Sequence, residues 1–408
     1  MYGAQLIEAL RQAVTQDGKA PLLAKARGSG ATHQNSSSHS IEFFGVGGEK
    51  MRATGCDIVV DAKDLAVVGI TEILGHLPKI WGLFHQLIAE ADRRKPDLAV
   101  VIDSPAFNWR VAREMKKRGV PVAYYVCPQF WAWRQGRVRL LRKYVDKTLV
   151  IFPFEEKFYR DRGVDAEFVG HPLADLARPA MPPAEYAVDY GLDPAKHWIT
   201  LMPGSRRKEV RMNLPEMLEA ARILGDKYEF LLPVAPTLET NFVTELVNPH
   251  LSRSTKGGAP SFEKTSKPTI HLVPDSLPAL VHSRAGIIAS GTATVEAALM
   301  ETPFVMVYRV TPLTYLLGRW TVKVPHFAMT NLIAGRQVVP ELVQQDFTAE
   351  RVVTEVNRIL ADGDPREAML SGLREVKTLL RGDLERHHPA EKAASAILTL
   401  VPQTQHSV

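Results

Sequence analysis

The sequence contains only two cysteines among its 408 residues, Cys56 and Cys127. Two thiols form no disulfide framework and do not complete a structural zinc site alone, so this shortage excludes a disulfide-stapled secreted domain and favours a reducing compartment. The sequence also lacks an apolar run of the ~18–20 residues that cross a bilayer, and its start has no signal-peptide core. We therefore expect a cytoplasmic protein whose membrane contact is peripheral.

A strong excess of one charge is absent as well. Fifty Lys and Arg residues oppose 45 Asp and Glu residues, which leaves a formal charge of +5. This imbalance is too small to indicate nucleic-acid binding, although it is compatible with an anionic ligand or surface. Hydrophobic residues make up 45% of the chain, enough for substantial cores, and the length predicts two or three domains.

Short apolar runs alternate with helical periodicity in two parts of the chain, which predicts an α/β fold with mostly parallel sheets. The predicted strands lie at 41–45, 98–103, 120–126, 148–152, 197–203, 228–234, 269–272, 286–290 and 304–308. We expect an N-terminal domain at 1–172, a second domain at 173–346 and helices at 347–408. Residues 15–40 are polar and small, and we expect a mobile insertion there.

Open α/β sheets bind ligands at the carboxyl ends of their strands, so with two such domains we expect the site in a cleft between them. In the second domain Gly204, Ser205 and Arg206 follow a predicted strand and precede a helix. Such a turn offers backbone N–H groups and a forked guanidinium to a phosphate. The same residues are equally typical of an ordinary strand-to-helix turn with a solvated arginine.

A second turn in the same half has the same character. Ser290, Gly291 and Thr292 follow a buried apolar strand, and either hydroxyl is expected to cap the next helix. The N–H groups at that helix end suit a pyrophosphate, and Glu296, one turn further, suits ribose hydroxyls. Alone, Glu296 is also a favourable first-turn charge. The two turns together favour a nucleotide site.

In the first domain an apolar strand ends in Asp103, followed by Ser104 and Pro105. A carboxylate at the carboxyl end of a strand is placed for general-base work at a ligand site. Asp before Ser-Pro is also a common way to start a turn, and this alternative stays open.

Aromatic residues beside basic ones mark two further segments. Trp131, Trp133 and Arg134 precede a basic stretch, which suits a sugar phosphate with an apolar tail, single-stranded nucleic acid, or merely a packed turn before a solvated helix. Between 65 and 90 the apolar residues, including Trp81 and Phe84, are too dense for one modest buried face. This density suggests a membrane-dipping or acyl-chain surface, with core packing as the default for most of them.

Signatures of metal and dinucleotide sites are missing from the sequence. The chain has no Walker phosphate loop and no His-Glu-x-x-His spacing, and Gly45, Gly47 and Gly48 lack the third spaced glycine of a dinucleotide loop. Asp362 and Asp364 precede Pro365 and are assigned to a turn. We therefore expect neither a metal ion nor a cofactor.

Taken together, the motifs resemble the lipid-A-disaccharide synthase family. Eight blocks occur in the family's order, at 45–51, 64–69, 102–108, 128–134, 168–173, 203–206, 289–293 and 331–336. They span most of the chain from 41 to about 343. The most specific are Trp-Ala-Trp-Arg, ending at Arg134, and Asn-Leu-Ile-Ala-Gly-Arg, ending at Arg336.

The resemblance implies a GT-B fold with two Rossmann-like domains facing a cleft and C-terminal helices that cross back to the N-terminal domain or to a dimer partner. It implies an inverting, metal-independent transfer of diacylglucosamine from UDP-2,3-diacylglucosamine to 2,3-diacylglucosamine 1-phosphate at the inner membrane surface. Asp103 is then the base on the acceptor's 6-hydroxyl. UDP is expected at Arg206, the 290–292 turn and Glu296, with Asn331 and Arg336 nearby.

The chain departs from the family pattern in two places. Family members carry a strand and a Gly-Glu-x-Ser-Gly-Asp loop before a segment like residues 2–10, whereas this sequence begins inside that helix. The resemblance thus implies a missing strand and active-site loop, and we favour a misplaced start over an impaired chain. Ala106 also stands where members often have a second acidic residue, which concentrates the base role on Asp103.

Other functions remain as alternatives. Another UDP-sugar enzyme of the same fold, such as a UDP-N-acetylglucosamine 2-epimerase or a peptidoglycan-precursor transferase, would use a sugar without long acyl chains, and the dense apolar segment 68–88 argues against it. A non-catalytic protein that binds UDP-sugar or lipid is compatible with the missing loop.

Overall fold

The computed structural model describes residues 2–16, 41–65, 70–176, 178–252, 267–311, 324–382 and 388–401. The mobile insertion predicted at 15–40 lies outside these residues from position 17 onward. The described chain divides into two units. One consists of Met1–Pro172 with Gly382–Val408, and the other of Leu173–Arg381.

The first unit has alternating strands and helices. Its elements in chain order are α1 (Tyr2–Gln16), β1 (Phe44–Gly47), α2 (Glu49–Ala53), β2 (Asp57–Asp61), α3 (Ala62–Leu65), α4 (Ile70–Arg94), β3 (Ala99–Ile102), α5 (Pro105–Lys117), β4 (Val122–Tyr125), α6 (Val138–Tyr144), β5 (Lys147–Val150), α7 (Pro153–Arg160) and β6 (Ala166–Phe168). Strands β1 and β2 pair in parallel, and β3, β4, β5 and β6 form a second parallel sheet in that order. All four residues of β4 are buried, as expected for a parallel strand covered on both faces.

The second unit contains one six-stranded parallel sheet. Its elements are α8 (Pro183–Tyr190), β7 (His197–Met202), α9 (Arg207–Leu224), β8 (Tyr228–Pro233), α10 (Thr240–Ser252), β9 (Thr269–Val273), α11 (Ser276–His282), β10 (Ala285–Ala289), α12 (Thr292–Met300), β11 (Phe304–Tyr308), α13 (Met329–Ala334), β12 (Glu341–Val343), α14 (Ala349–Leu360) and α15 (Asp364–Arg381). The strand order is β12-β11-β10-β7-β8-β9. The chain therefore builds outward from β7 on one side and from β10 on the other.

The C-terminal helices differ from the expectation that all of 347–408 crosses back. Helix α14 packs on α9, β10 and β11, and α15 packs on α12 and α13, so both belong to the second unit. Helix α14 contributes Val352, Val356 and Ile359 to the core of the second unit through these contacts. The chain joins the first unit from Gly382, and α16 (Pro389–Leu398) packs there on α1 and β5.

The prediction of parallel α/β architecture is confirmed in both units. Of the helices in the described ranges, none combines the length and the apolar character needed to span a membrane.

Candidate functional site

The second unit has a topological switch point between β7 and β10. These two strands pair directly, with Met202 opposite Ile288, while the chain continues from them in opposite directions across the sheet. Crevices at such points, outside the carboxyl ends of the strands, are where open α/β sheets bind ligands. The two turns singled out in the sequence, at 203–206 and 290–292, follow these two strands and so lie at the same edge.

The first turn is closed around a carboxylate that the sequence analysis missed. Gly204 has φ +124°, and a Cβ there would lie 2.7 Å from both Cβ and Oε2 of Glu209. Glu209 Oε2 accepts a hydrogen bond from the Ser205 N–H at 3.2 Å, and Oε1 pairs with Arg206 Nη1 at 2.7 Å. Glu209 thus occupies the donors that the sequence assigns to a phosphate. Its place in the first turn of α9 is the signal that would have found it.

The second turn leaves a helix end without a side-chain cap. Gly291, with φ +134°, is the N-cap of α12, and no side chain caps the helix. The predicted capping by Ser290 or Thr292 is therefore wrong, because Ser290 Oγ donates to the Phe327 carbonyl at 2.8 Å instead and Thr292 is itself the first, exposed helical residue. Nothing lies within 4 Å of a Cβ built at Gly291. This end of α12 has N–H donors and open space before it.

Glu296 lies one turn into α12 and is partly buried. Burial raises the pKa of this carboxyl, and a hydrogen bond from Ser276 Oγ to Glu296 Oε2 at 2.9 Å acts in the opposite direction. Ser276, at the start of α11, is a second residue that the sequence analysis missed. It fixes one oxygen of Glu296, which leaves the other oxygen to accept from a ligand.

The hydrogen bonds of Asn331 indicate a different role from the ligand contact predicted from the sequence. The side chain is fully buried. Its Nδ2 donates to the Val339 carbonyl at 2.9 Å and to Glu341 Oε1 at 2.8 Å, and its Oδ1 accepts from the N–H groups of Val338 and Val339. Every hydrogen-bonding position of the amide is used within the unit. Asn331 therefore organises the loop after α13 rather than offering a free group to a ligand.

Glu341 links that loop to the second turn. Its carboxylate accepts from the N–H groups of Phe327 and Ala328 at 2.9 and 3.0 Å, and the carbonyl of Phe327 accepts from Ser290. Arg336, the other residue predicted nearby, is exposed and forms an ion pair with Glu375 of α15. Asn331 thus supports the turn through Glu341 and Phe327, whereas Arg336 is tied to a different helix.

In the first unit, backbone strain gathers at the carboxyl ends of β3 and β4. Asp103 and Ser104 have φ +49° and +40°, and Val126 has φ +56°. Ile102 and Tyr125 are the last residues of β3 and β4 and are register partners. The strained residues therefore directly follow the ends of two neighbouring strands. Left-handed conformations of non-glycine residues cost about 1–3 kcal/mol each and concentrate at functional sites. The strain marks this sheet edge, and Asp103 is exposed there.

The two tryptophans of the Trp-Ala-Trp-Arg block have different surroundings. Trp131 is buried, and its Nε1 donates to Glu155 Oε1 at 2.7 Å, so the ring has little surface for the acceptor contact predicted from the sequence. Trp133 is 45% exposed, and the guanidinium of Arg134 lies over its ring at 4.4 Å. Only Trp133 and Arg134 are available to a ligand.

Trp81 and Phe84 also differ in how far their side chains are exposed. Trp81 is 55% exposed, but Phe84 is only 7% exposed and packs edge-on against Phe107 with ring centroids 5.9 Å apart. The Phe84 ring therefore packs in the core and has little surface for the lipid contact predicted from the sequence. Within the described ranges no three His, Cys, Asp or Glu side chains gather as metal ligands.

Comparison with known proteins decides the family. A family model described as lipid-A-disaccharide synthetase matches residues 25–397. A lipid-A-disaccharide synthase from Koribacter versatilis is 50% identical over 400 residues, which are 98% of this chain and 95% of the relative. The chain belongs to the lipid-A-disaccharide synthase family. Its members are glycosyltransferases of lipid A biosynthesis, and this chain is one of them.

Solved structures support the fold of this family member. The glycotransferase of kitacinnamycin is similar with a TM-score of 0.55 and 14% identity, covering 97% of this chain and 95% of that chain. The UDP-GlcNAc 2-epimerase from Neisseria meningitidis, bound to UDP-GlcNAc, is similar with a TM-score of 0.53 and 11% identity, covering 85% and 99%. At these identities the likeness shows the fold alone, which is GT-B.

Proposed function

We propose that this family member transfers diacylglucosamine from UDP-2,3-diacylglucosamine to 2,3-diacylglucosamine 1-phosphate, with inversion and without a metal ion or cofactor. Asp103 removes the proton of the acceptor's 6-hydroxyl as that oxygen attacks the anomeric carbon of the donor. The bond between the anomeric carbon and the β-phosphate oxygen breaks, and the electron pair leaves with UDP. The products are the β-1,6 disaccharide and UDP.

The second unit is the donor domain in this proposal. The leaving diphosphate gains negative charge, and it needs N–H donors and a cation where that charge develops. The uncapped end of α12 at Gly291 and Thr292 supplies N–H donors, and the Gly204–Ser205 backbone adds others. The guanidinium of Arg206 supplies the cation. Glu296 accepts from ribose hydroxyls. One observation supports the proposal most directly. The turns at 203–206 and 290–292, which both offer N–H donors to a phosphate, follow the adjacent strands β7 and β10 at the switch point of the sheet.

The first unit is the acceptor domain. Asp103 has an exposed carboxylate that the described residues do not engage in a hydrogen bond, so it is free to take a proton. The exposed pair of Trp133 and Arg134 suits the sugar and the phosphate of the acceptor.

We further propose a peripheral position on the cytoplasmic face of the inner membrane. Exposed cations follow Trp133 within ten residues of chain, and none forms an ion pair with another described residue: Arg134, Arg137, Arg139, Arg142 and Lys143. Trp81 adds an exposed aromatic ring.

A homodimer that exchanges its final helices is part of the same proposal, and the mass of the protein in solution tests it.

A metal-free assay with both acylated substrates tests the reaction. We expect Asp103→Asn to lower kcat by ~10²–10⁴ while UDP affinity stays within about twofold, because a general base contributes that much and UDP binds the other unit. The matched control is Asp97→Asn, an exposed carboxylate before the amino end of the same strand. Arg206→Ala should weaken donor binding or kcat, whereas Arg222→Ala at the far end of α9 should not.

Three results would change the assignment. Full activity of Asp103→Asn would remove Asp103 from the base role. Turnover of UDP-N-acetylglucosamine without turnover of the diacylated donor would favour a different UDP-sugar enzyme of this fold. UDP binding without any disaccharide product would favour a non-catalytic binding protein.

A further inference from the structure

We propose that Asn108 and Tyr124 are positioning residues that hold Asp103 in its left-handed backbone conformation and thereby fix the position of its exposed carboxylate at the end of β3. The inference rests on the proposed function of Asp103 as the base on the acceptor hydroxyl. It assigns a task to two side chains that do not themselves touch the reacting atoms.

The contacts converge on one carbonyl group. Asn108 Nδ2 donates to the Asp103 carbonyl at 2.6 Å and to the Ile102 carbonyl at 2.7 Å. Tyr124 Oη donates to the same Asp103 carbonyl at 2.7 Å. The Asp103 N–H donates to the Tyr125 carbonyl at 3.1 Å. Both backbone polar groups of Asp103 are thus tied down, while its carboxylate is left to the solvent.

The local sequence does not favour this conformation. Asp103 and Ser104 both have positive φ, and neither is glycine. Ser104 also precedes Pro105, and a residue before proline is pushed toward extended conformations. Strained backbone persists only when its surroundings determine it. Two consecutive strained residues therefore need an external restraint, and the bonds from Asn108 and Tyr124 provide it.

The two donors are themselves anchored in regular structure. Tyr124 lies in β4 and is 1% exposed. Asn108 lies in the first turn of α5, and its own N–H donates to the Ser104 carbonyl at 3.1 Å. The restraint therefore joins the end of β3 to a buried neighbouring strand and to the helix that follows. Such a support sets the direction of a side chain more tightly than a free loop would.

The test is steady-state kinetics on Asn108→Ala and Tyr124→Phe with the metal-free assay. We expect kcat to fall by about 10- to 100-fold for Asn108→Ala and by less for Tyr124→Phe, because a small misplacement of a catalytic group has costs of this size. The KM for the UDP-sugar donor should stay within about twofold. Tyr125→Phe is the matched control. It removes the same hydroxyl from the next residue, which projects to the opposite face of the strand, and its kcat should be unchanged.

Two double variants separate positioning from a purely structural role. In the Asp103→Asn background, Asn108→Ala should lower the residual rate no further, since the restraint acts only through the Asp103 carboxylate. Ser104→Gly relieves the strain that Asn108 opposes, because glycine adopts positive φ readily. It should therefore restore at least part of the kcat lost in Asn108→Ala.

The possible failures are distinguishable. If Asp103→Asn is inactive but Asn108→Ala, Tyr124→Phe and their combination all keep kcat within twofold, the positioning proposal is overturned and the base assignment stands. If Asp103→Asn is fully active, the proposed function of that residue is overturned instead. Tyr124→Phe deletes only one oxygen from a core ring, so it keeps the test usable if Asn108→Ala fails to fold.

Discussion

Glu155 is a fully buried carboxyl group beneath the Trp-Ala-Trp-Arg block. Its Oε1 accepts from Trp131 Nε1, and its Oε2 accepts from the N–H groups of Ile151 and Phe152 at 3.2 and 3.1 Å. Burial raises the pKa of this carboxyl to about 7, although all three hydrogen bonds act to lower it. The group therefore titrates near neutral pH while holding the base of a proposed acceptor segment.

Glu155 should make stability depend on pH. Between its ordinary value of 4.5 and about 7, the folded protein keeps a proton that the unfolded chain has released. The stabilising contribution is complete below the lower value and is lost as the pH rises through the upper one. In guanidinium unfolding, the difference in unfolding free energy between the parent and Glu155→Gln should therefore fall by about 2–3 kcal/mol from pH 5 to pH 8.

Two features make that comparison specific. The buried His171, whose pKa is lowered to about 4 by burial, has the opposite effect on stability, and subtracting the variant from the parent removes its contribution. Glu156→Gln, a change at the neighbouring residue that pairs with Arg160, is the control, and the difference in unfolding free energy between the parent and this variant should not fall in this way. An equal slope in Glu155→Gln and the parent would contradict the prediction.

The contrast between Trp131 and Trp133 shows what a sequence does not reveal at the residue scale. Both rings follow the same strand and are separated by one alanine, so their local pattern is the same. The partner that buries Trp131 is Glu155, which is 24 residues away in the chain. Phe84 is similar, because its core contact Phe107 comes from a different helix. Selecting the ligand-facing ring requires those distant contacts.

At the scale of elements, the turn between β7 and α9 has its own anion. The carboxylate of Glu209 holds the Ser205 N–H and Arg206, the donors proposed for the diphosphate of UDP. A ligand phosphate must displace this carboxylate or share its donors. The ion pair is exposed on the arginine side, with Arg206 80% accessible, so its strength is in the range of surface pairs.

Removing the charge of Glu209 should strengthen UDP binding. We expect Glu209→Gln to lower the Kd for UDP about two- to fivefold in calorimetric titration, since a surface pair contributes ~0–1 kcal/mol. Glu239→Gln removes a carboxylate that pairs with the adjacent Arg207 and should leave the Kd unchanged. Weaker binding in Glu209→Gln would mean that the carboxylate contacts the ligand rather than competing with it.

Strands and helices could be predicted where the hydrophobic pattern of the segment itself defines them. The contacts at their ends were harder to predict, because they are made with residues distant in the chain. The buried strand 285–289 and the helix after it follow from the apolar run and the small-residue turn. The cap of that helix does not, because the Ser290 hydroxyl has its partner 37 residues later at Phe327. The role of Asn331 depends in the same way on the backbone of Val338 and Val339, and on Glu341. Motif position alone marks these residues but does not say what they bind.

At the scale of the whole molecule, the alternation of strands and helices predicted parallel α/β architecture, and this is confirmed. Where the last helices pack was less predictable. An amphipathic pattern shows that α14 and α15 each bury a face, but it does not say against which unit. Helices with equally suitable apolar faces, α14 and α16, belong to different units. Only the tertiary contacts distinguish them.

The net charge of +5 is small, yet unpaired cations are concentrated in one segment of the first unit. Arg137, Arg139 and Arg142 are exposed within six residues of chain. Near an anionic lipid surface each basic side chain contributes about 1 kcal/mol of attraction, which added salt screens. The proposed membrane contact therefore depends on this segment rather than on the charge of the whole protein.

Co-sedimentation with phosphatidylglycerol-containing vesicles measures this dependence. Replacing Arg137, Arg139 and Arg142 together by Gln should weaken binding by about 10- to 100-fold at low salt, and the parent should lose a comparable share as salt rises to about 0.5 M. The control removes the same charge at Arg52, Lys157 and Arg160, which pair with carboxylates three or four residues away in the chain. Because these three residues lie outside the 137–142 segment, the control should keep most of the parent's binding if that segment makes the contact. Equal losses in both triple variants would show that vesicles respond to net charge alone, and the segment would have no special role.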